Sequence, residues 1–459
     1  MSKIPTLFEC QNCGYSSAKW LGRCPDCGGW NSFVEEKRFN RREIASPGHR
    51  EAKAVRLSDV STEETPRIDT RNSEFNRALG GGIVPGSLIL LGGEPGVGKS
   101  TLLLQIASSL QSEGLRVLYA SGEESTRQIK LRSERIAAGC GNASGAEDIY
   151  LLAESNLETI FDAIEEVRPG VVVVDSVQTV FSETLESAPG SVSQVRHAAT
   201  QLLNLAKQRN LPVLLIGHVT KDGSIAGPKA LEHIVDVVLY FEGEGKRHHR
   251  VIRAVKNRFG AANEVGIFEM TSRGLLPAEN PSSLFLMDRE ETTAGSSVVC
   301  AIEGTRPLLV EVQSLVVATQ YSTARRVATG VDYNRISVLV AMLEKRLGIQ
   351  MTGTDIYVNT AGGLAIDEPG SDLGIFAAIL SSLRNRPLVA DTVLLGELSL
   401  SGMVRPVTQT HLRVREAAAM GFKRCVLPMG NLPLIDPVEG IELIPIKTVG
   451  QAADILFNK

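Results

Sequence analysis

Between about residues 57 and 275, short and almost purely apolar runs alternate with stretches whose apolar positions recur at helical spacing. Continuous apolar runs predict strands buried on both faces, and their alternation with helices predicts a mostly parallel sheet covered on both sides. The clearest runs are 87–91, 117–120, 171–175, 213–217 and 235–241, with helical stretches at 101–107 and 125–129. Two more, near 250–255 and 267–270, read as antiparallel strands joined through Gly243-Glu244-Gly245. A second unit, 281–459, opens with strand-like runs at 297–304 and 308–316, passes through a helical stretch at 336–347, and alternates to its end. No low-complexity tract or short-period repeat interrupts either unit.

The turn after run 87–91 reads Gly93-Glu94-Pro95-Gly96-Val97-Gly98-Lys99-Ser100, which matches G-x-x-x-x-G-K-[ST], and Thr101 starts the helix. Strand, glycine-rich turn and helix in that order are the setting of a phosphate-binding P-loop. Its glycines let backbone N–H groups approach phosphate oxygens, Lys99 suits the β and γ phosphates, and Ser100 suits Mg²⁺. The chain is therefore expected to bind a nucleoside triphosphate.

Other strand tips supply matching chemistry. Run 171–175 ends in Asp175, the Walker B arrangement, which places a carboxylate beside Ser100 to hold Mg²⁺. Glu123 and Glu124 follow run 117–120, where a carboxylate can orient a water at the γ-phosphate, and Glu123 is the expected catalytic one. A Glu pair there also suits the start of the helix at 125–129. His218 ends run 213–217 and leads into the Lys/Gly-rich stretch 221–229, a position that suits a γ-phosphate contact. Lys256 and Arg258, in Lys256-Asn257-Arg258-Phe259-Gly260, stand at a spacing that puts two cations on one face of a strand, suited to a neighbour's γ-phosphate or to a solvated strand end.

Composition adds domains rather than chemistry. A chain of 459 residues exceeds what one core supports, and 43% apolar content with no membrane-length apolar run or leader-like start points to a cytoplasmic globular protein. The net charge of −4 leaves any nucleic-acid contact to local basic patches. Four of seven cysteines, Cys10, Cys13, Cys24 and Cys27, form C-x₂-C-x₁₀-C-x₂-C, the spacing of four thiolates around a structural Zn²⁺. Trp20 and Trp30 flank these knuckles, placed to pack on a small core or to stack on a partner. The division reads as a zinc finger at 1–34, a basic linker at 35–56, an α/β ATPase domain at 57–275 and a further domain at 281–459.

The order of these parts, with the Lys-Asn-Arg-Phe-Gly motif at 256–260, resembles the bacterial RadA (Sms) family of DNA repair proteins over essentially the whole chain. That resemblance implies a RecA-like P-loop ATPase core related to DnaB-type helicases, a small zinc knuckle and an α+β Lon-protease-like C-terminal domain. It implies ATP with Mg²⁺ and Zn²⁺ as cofactors, and a hexameric ring on single-stranded and branched DNA that works with the RecA recombinase in branch migration. By the same resemblance Glu123 is the catalytic carboxylate, His218 the γ-phosphate sensor and Lys256 with Arg258 the inter-subunit finger pair. Segments 182–196 and 220–229 then face DNA. A scaffold that binds DNA or RecA and is only switched by nucleotide is the alternative.

Lon-type proteolysis needs a Ser activated by a Lys. Here Glu368-Pro369-Gly370-Ser371-Asp372-Leu373-Gly374-Ile375 resembles the nucleophile region, yet Asp372 falls in the nucleophile slot, His411 in the lysine slot and Ser371 one residue off register. The expectation is a domain without peptidase activity, with Arg325, Arg326, Arg335, Arg384 and Arg386 as candidate phosphate contacts.

Overall fold

The computed structural model describes residues 6–10, 15–26, 28–30, 32–37, 56, 66–140, 148–218, 231–243, 249–286, 293–320 and 323–457. The chain divides into two compact units, Met1–Ala278 and Glu279–Lys459. No helix among the described residues is long and apolar enough to cross a membrane.

The first unit begins with β1 (Thr6–Cys10), β2 (Ser16–Ser17) and β3 (Phe33–Lys37), which form a small sheet in the order β2-β1-β3. Its core is only Cys10, Cys24 and Phe33, with Phe8 and Leu21 against them. The larger body runs through α1 (Ser73–Ala78), β4 (Leu88–Gly93), α2 (Lys99–Ser112), β5 (Val117–Ser121), α3 (Thr126–Cys140) and β6 (Tyr150–Ala153). It continues with α4 (Leu157–Val167), β7 (Val171–Asp175), α5 (Val192–Arg209), β8 (Val213–His218), β9 (Val237–Glu242), β10 (His249–Asn257), β11 (Val265–Thr271) and β12 (Gly274–Pro277).

Among the described residues these strands make a nine-stranded sheet in the order β12-β11-β10-β9-β4-β8-β7-β5-β6. From β9 to β6 all neighbours are parallel, and β10, β11 and β12 extend the sheet antiparallel. This is the RecA-like arrangement, with β8 between the P-loop strand β4 and the Asp175 strand β7. Strands β4, β5 and β7 are buried along their whole length, the condition under which a strand loses apolar alternation. Ile89, Leu91, Tyr119, Val173 and Ile216 face the layer of α2 with Leu102, Leu103 and Ile106. Their neighbours Leu88, Leu90, Leu118, Val172 and Leu215 face α4 and α5 with Ile160, Ile164, Val195 and Leu202. The period of two thus sorts one sheet between two helix layers.

Gly243 leaves β9, so the glycine-containing segment lies between β9 and β10 rather than between β10 and β11. The edge strand β6 has no fully buried residue, which explains why its apolar signal is weak.

The second unit contains α6 (Pro281–Leu284), β13 (Ser296–Glu303), β14 (Arg306–Ala318), β15 (Arg326–Thr329), α7 (Tyr333–Leu347), β16 (Thr354–Thr360) and α8 (Asp372–Arg384). After these come β17 (Thr392–Leu394), β18 (Glu397–Leu398), β19 (Val404–Arg405), α9 (Thr410–Ala419), β20 (Arg424–Pro428), β21 (Glu442–Ile446) and α10 (Val449–Ile455). Its main sheet, β15-β16-β14-β13-β17-β20-β21 among the described residues, mixes antiparallel and parallel pairs, as an α+β domain does. Helix α8 is buried along nearly all its length, and α7 starts from Asp332, whose side chain accepts from the Arg335 N–H.

Candidate active site

Strand β4 delivers the chain to the P-loop, with Gly93 opposite His218 on β8 and opposite Phe241 on β9. Glu94, Pro95 and Gly96 are exposed, and Val97 folds back into the core. Gly98 has φ 114°, the left-handed region a side chain rarely adopts, and it caps α2 without a side-chain hydrogen bond. The first N–H groups of α2 are therefore left for a ligand, and no acid in its first turn competes for them. Lys99 begins α2 and is 3% exposed, and its Nζ donates to the carbonyls of Gly93 at 2.8 Å and Glu94 at 2.9 Å. Burial pushes its ammonium down to about 8, while the carboxylates of Asp175 and Glu123 pull it back up. Ser100 and Thr101 follow, both half-buried.

Asp175 ends β7 on the same sheet face as Tyr119, since Tyr119 pairs with Val173 and Ser121 with Asp175. The Tyr119 hydroxyl donates to Asp175 Oδ2 at 2.7 Å. Burial first, and then the Asp175 charge, push the Tyr119 phenol well above its usual range, so it stays a donor. Asp175 Oδ1 is buried without a hydrogen-bond partner among the described residues. An orphaned, buried carboxylate oxygen and a hydroxyl at Ser100 are hard oxygen donors, the chemistry that fits Mg²⁺.

Gly122 turns the chain out of β5, its N–H donating to the Asp175 carbonyl at 2.9 Å. A Cβ there would stand 2.3 Å from Thr179 Oγ1 and 2.7 Å from Ser155 Oγ, so the approach admits only glycine. The turn brings Glu123 Oε1 to 2.5 Å from Ser176 Oγ, which donates to it, and to 3.0 Å from His218 Nε2. Gln178 Nε2 in turn donates to the His218 carbonyl at 3.3 Å. Glu124 takes another path and pairs with Arg132 of α3. Lys99, Asp175, Glu123 and His218 thus converge at the C-terminal ends of parallel strands, where α/β sheets bind ligands.

At the small N-terminal sheet, Cys10 and Cys24 are buried, and each begins a tight turn: Cys10 N–H donates to the Tyr15 carbonyl at 2.9 Å and Cys24 N–H to that of Gly29 at 2.8 Å. Ser32 Oγ lies 3.2 Å from Cys10 Sγ, the kind of outer contact that steadies a metal thiolate. The chemistry of buried thiols on knuckle turns fits Zn²⁺, and the other two expected ligands, Cys13 and Cys27, lie outside the described residues. Trp30 is 72% exposed under the Arg23 guanidinium, and Trp20, 50% exposed, donates to the Phe33 carbonyl at 3.2 Å.

Three family models match parts of the chain: an AAA domain over residues 51–224, a rubredoxin metal binding domain over 8–35 and subunit ChlI of Mg-chelatase over 331–431. Curated relatives match from end to end. The chain is 50% identical to the DNA repair protein RadA of Halalkalibacterium halodurans, with 100% of each chain covered. It is 49% identical to that of Bacillus subtilis and 46% identical to that of Listeria monocytogenes, with 98% of each chain covered in both cases. The chain belongs to the RadA family of DNA repair proteins. Among solved structures, one ATPase domain superimposes with a TM-score of 0.42 at 14% identity, covering 47% of this chain and 92% of that one. This RadA-family chain therefore carries a zinc ribbon, an ATP-hydrolysing AAA-type domain and a ChlI-like C-terminal domain.

The remaining candidates of this RadA-family chain lie elsewhere. Lys256 falls on β10 directly after the register shift that skips Val255, and Arg258 lies just past the strand end at Asn257. Lys256 Nζ donates to the carbonyls of Glu232 at 2.6 Å and Val235 at 2.8 Å, and Arg258 pairs with the buried Asp236 at 3.2 Å. In segment 182–196, residues 182–191 form a turn held by Gln194 of α5, which donates to the Ser182 and Ser187 carbonyls, and the rest is the first part of α5. Segment 220–229 lies outside the described residues.

In the second unit Asp372 is buried at the start of α8, paired with Arg335 and accepting from the Leu398 N–H at 3.1 Å. Burial raises its carboxyl above the usual range, against the pull of Arg335. Ser371 Oγ is buried without a partner among the described residues, and His411 is exposed on α9. Nearby, Arg413 is 1% exposed and clasps Glu368 through two bonds, at 2.5 Å and 2.6 Å, a pair that the residue-by-residue reading missed. Of the arginines singled out, Arg384 and Arg386 lie over the Phe457 ring and Arg326 donates to the Thr354 carbonyl.

Proposed function

We propose that this protein is a DNA-stimulated ATPase that assembles as a ring, hexameric by its family resemblance, on single-stranded and branched DNA. It processes recombination intermediates together with a RecA-type recombinase by moving branches. In each subunit the P-loop amides and Lys99 hold the triphosphate, while Ser100 and Asp175 hold Mg²⁺, which when bound draws charge from the phosphate oxygens. Glu123 orients and deprotonates the attacking water, and its bond to His218 carries the state of the γ-phosphate to the segment after β8. Two neighbours support Glu123 rather than Glu124 in that role: Ser176 and His218 aim at Glu123, whereas Arg132 occupies Glu124. Cys10, Cys13, Cys24 and Cys27 would hold Zn²⁺, which would tie the ribbon together.

The register of β10 carries the ring. Arg258 N–H donates to the Asp236 carbonyl, and Asp236 N–H to that of Leu88, the first residue of β4. Gly93 lies five residues further along β4, about 16 Å away at the usual rise. Lys256 and Arg258 therefore stand at the end of the sheet opposite their own P-loop, beyond reach of their own γ-phosphate, which supports a role for them at the site of an adjacent subunit.

The second unit serves assembly and DNA contact, without peptidase activity. Asp372 is spent in an ion pair, Ser371 is enclosed, and the lysine slot holds an exposed His411. ATP turnover measured with and without single-stranded and branched DNA, alongside the mass of the assembly, tests the whole reading. A ring whose turnover rises with DNA is expected, together with branch migration that Lys99→Ala abolishes. A monomer indifferent to DNA would sink the proposal.

A further inference from the structure

Tyr119 on β5 carries a polar tip into the layer between the sheet and α2, and nothing in the P-loop motif calls for it. It is 1% exposed, and a buried phenol must find a partner for its hydroxyl. That partner is one named oxygen. Tyr119 donates to Asp175 Oδ2 at 2.7 Å, diagonally across two adjacent parallel strands on the same face, while Asp175 Oδ1 stays buried and unpartnered among the described residues. We infer that Tyr119 is a positioning residue for the nucleotide-bound cation: it occupies one oxygen of Asp175 and turns the other toward the metal.

The physical consequence is a choice of ion. A carboxylate free to turn can offer both oxygens, the bidentate mode that suits a large, flexibly coordinated ion such as Ca²⁺. A carboxylate with one oxygen held by a phenol offers a single donor from a fixed direction, the mode that suits small, octahedral Mg²⁺. The clamp is rigid because both residues sit on wholly buried strands, with Asp175 2% exposed and the Gly122 N–H donating to the carbonyl of Asp175. Tyr119 is buried with its hydroxyl on Asp175 and acts only through that carboxylate.

The inference rests on the reading of Asp175 as the metal-holding carboxylate, so its test separates the two. Equilibrium binding of a fluorescent ATP analogue is followed while Mg²⁺ or Ca²⁺ is titrated, in the full-length protein and without reference to turnover. Tyr119→Phe, which removes one hydroxyl and keeps the ring, is expected to leave binding in EDTA unchanged and to raise the half-saturating Mg²⁺ concentration about tenfold, with a smaller shift for Ca²⁺. Unchanged Mg²⁺ dependence, or equal shifts for both ions, overturns the inference. Asp175→Asn is the reference: if it too leaves the Mg²⁺ dependence unchanged, the reading of the metal site fails, whereas a response to Asp175→Asn alone sinks only the role of Tyr119. If Tyr119→Phe loses its fold, the double variant Tyr119→Phe/Asp175→Asn, which leaves no charged oxygen unpaired, is compared with Asp175→Asn. No further Mg²⁺ shift is expected, and an added one defeats action through Asp175.

Discussion

Two adjacent glutamates meet different partners because one residue of spacing sends their side chains apart. Glu123 is aimed at Ser176 and His218 beside Lys99, and Glu124 at Arg132 on α3. Glu123→Gln is accordingly expected to lower ATP turnover by about 10²-fold or more while leaving nucleotide binding intact, a split that turnover and equilibrium binding read separately. Glu124→Gln is expected to do the reverse: it keeps most turnover but loses about 1–3 kcal/mol of stability in a denaturant melt, because Arg132 loses a charged partner. Equal loss of turnover in both variants would reassign the carboxylate. The P-loop, Asp175 and the Glu pair were legible in the chain because glycine spacing and strand tips carry them. Glu123 was the expected choice of the two, but the contacts that separate it from Glu124 were not legible, since they depend on which way a tight turn at Gly122 throws each side chain. Tyr119 was hidden for a related reason: inside a fully buried strand its apolar ring satisfies the pattern, and only the register against β7 reveals what its hydroxyl meets.

At the scale of elements, the parallel strands announced themselves as apolar runs, and helix α7 by its period, whereas the half-exposed edge strand β6 and the bulge in β10 carried no such signal. The C-terminal unit shows how motif slots can be refilled by structural ion pairs. Arg413 of α9 binds Glu368 and the Cys300 carbonyl of β13, tying a helix and a strand to the loop ahead of α8. Glu368→Ala strands a buried guanidinium and is expected to cost about 3–5 kcal/mol, while Glu368→Leu combined with Arg413→Met should restore much of it, as unfolding curves of the two proteins would show. If the single variant melts like wild type, the pair is not structural. The zinc ribbon poses the opposite case. Its described core of three buried residues is too small to hold three strands unaided. Removing the metal with a chelator is therefore expected to lose the ribbon's protection from hydrogen exchange while the P-loop body keeps binding ATP. Protection that survives metal removal would show that packing alone suffices.

For the molecule as a whole, the sheet works from both ends: its C-terminal edge gathers Lys99, Glu123, Asp175 and His218, and the opposite edge presents Lys256 and Arg258. On the proposed reading a single chain holds two halves of different sites, and a head-to-tail ring would join them. Spacing alone sets these cations on one strand face; the strand ends at Asn257 between them, and both are tied to the segment around Asp236, contacts that periodicity cannot register. Subunit mixing tests the shared site most directly. Lys99→Ala protein has a disabled P-loop with an intact Arg258, and Arg258→Ala protein the converse, so each alone should be inactive. Equimolar mixed rings are predicted to recover about a quarter of wild-type DNA-stimulated turnover, the random chance that an intact P-loop meets an intact neighbour. Mixtures that stay as inactive as either variant would contradict a site completed across subunits.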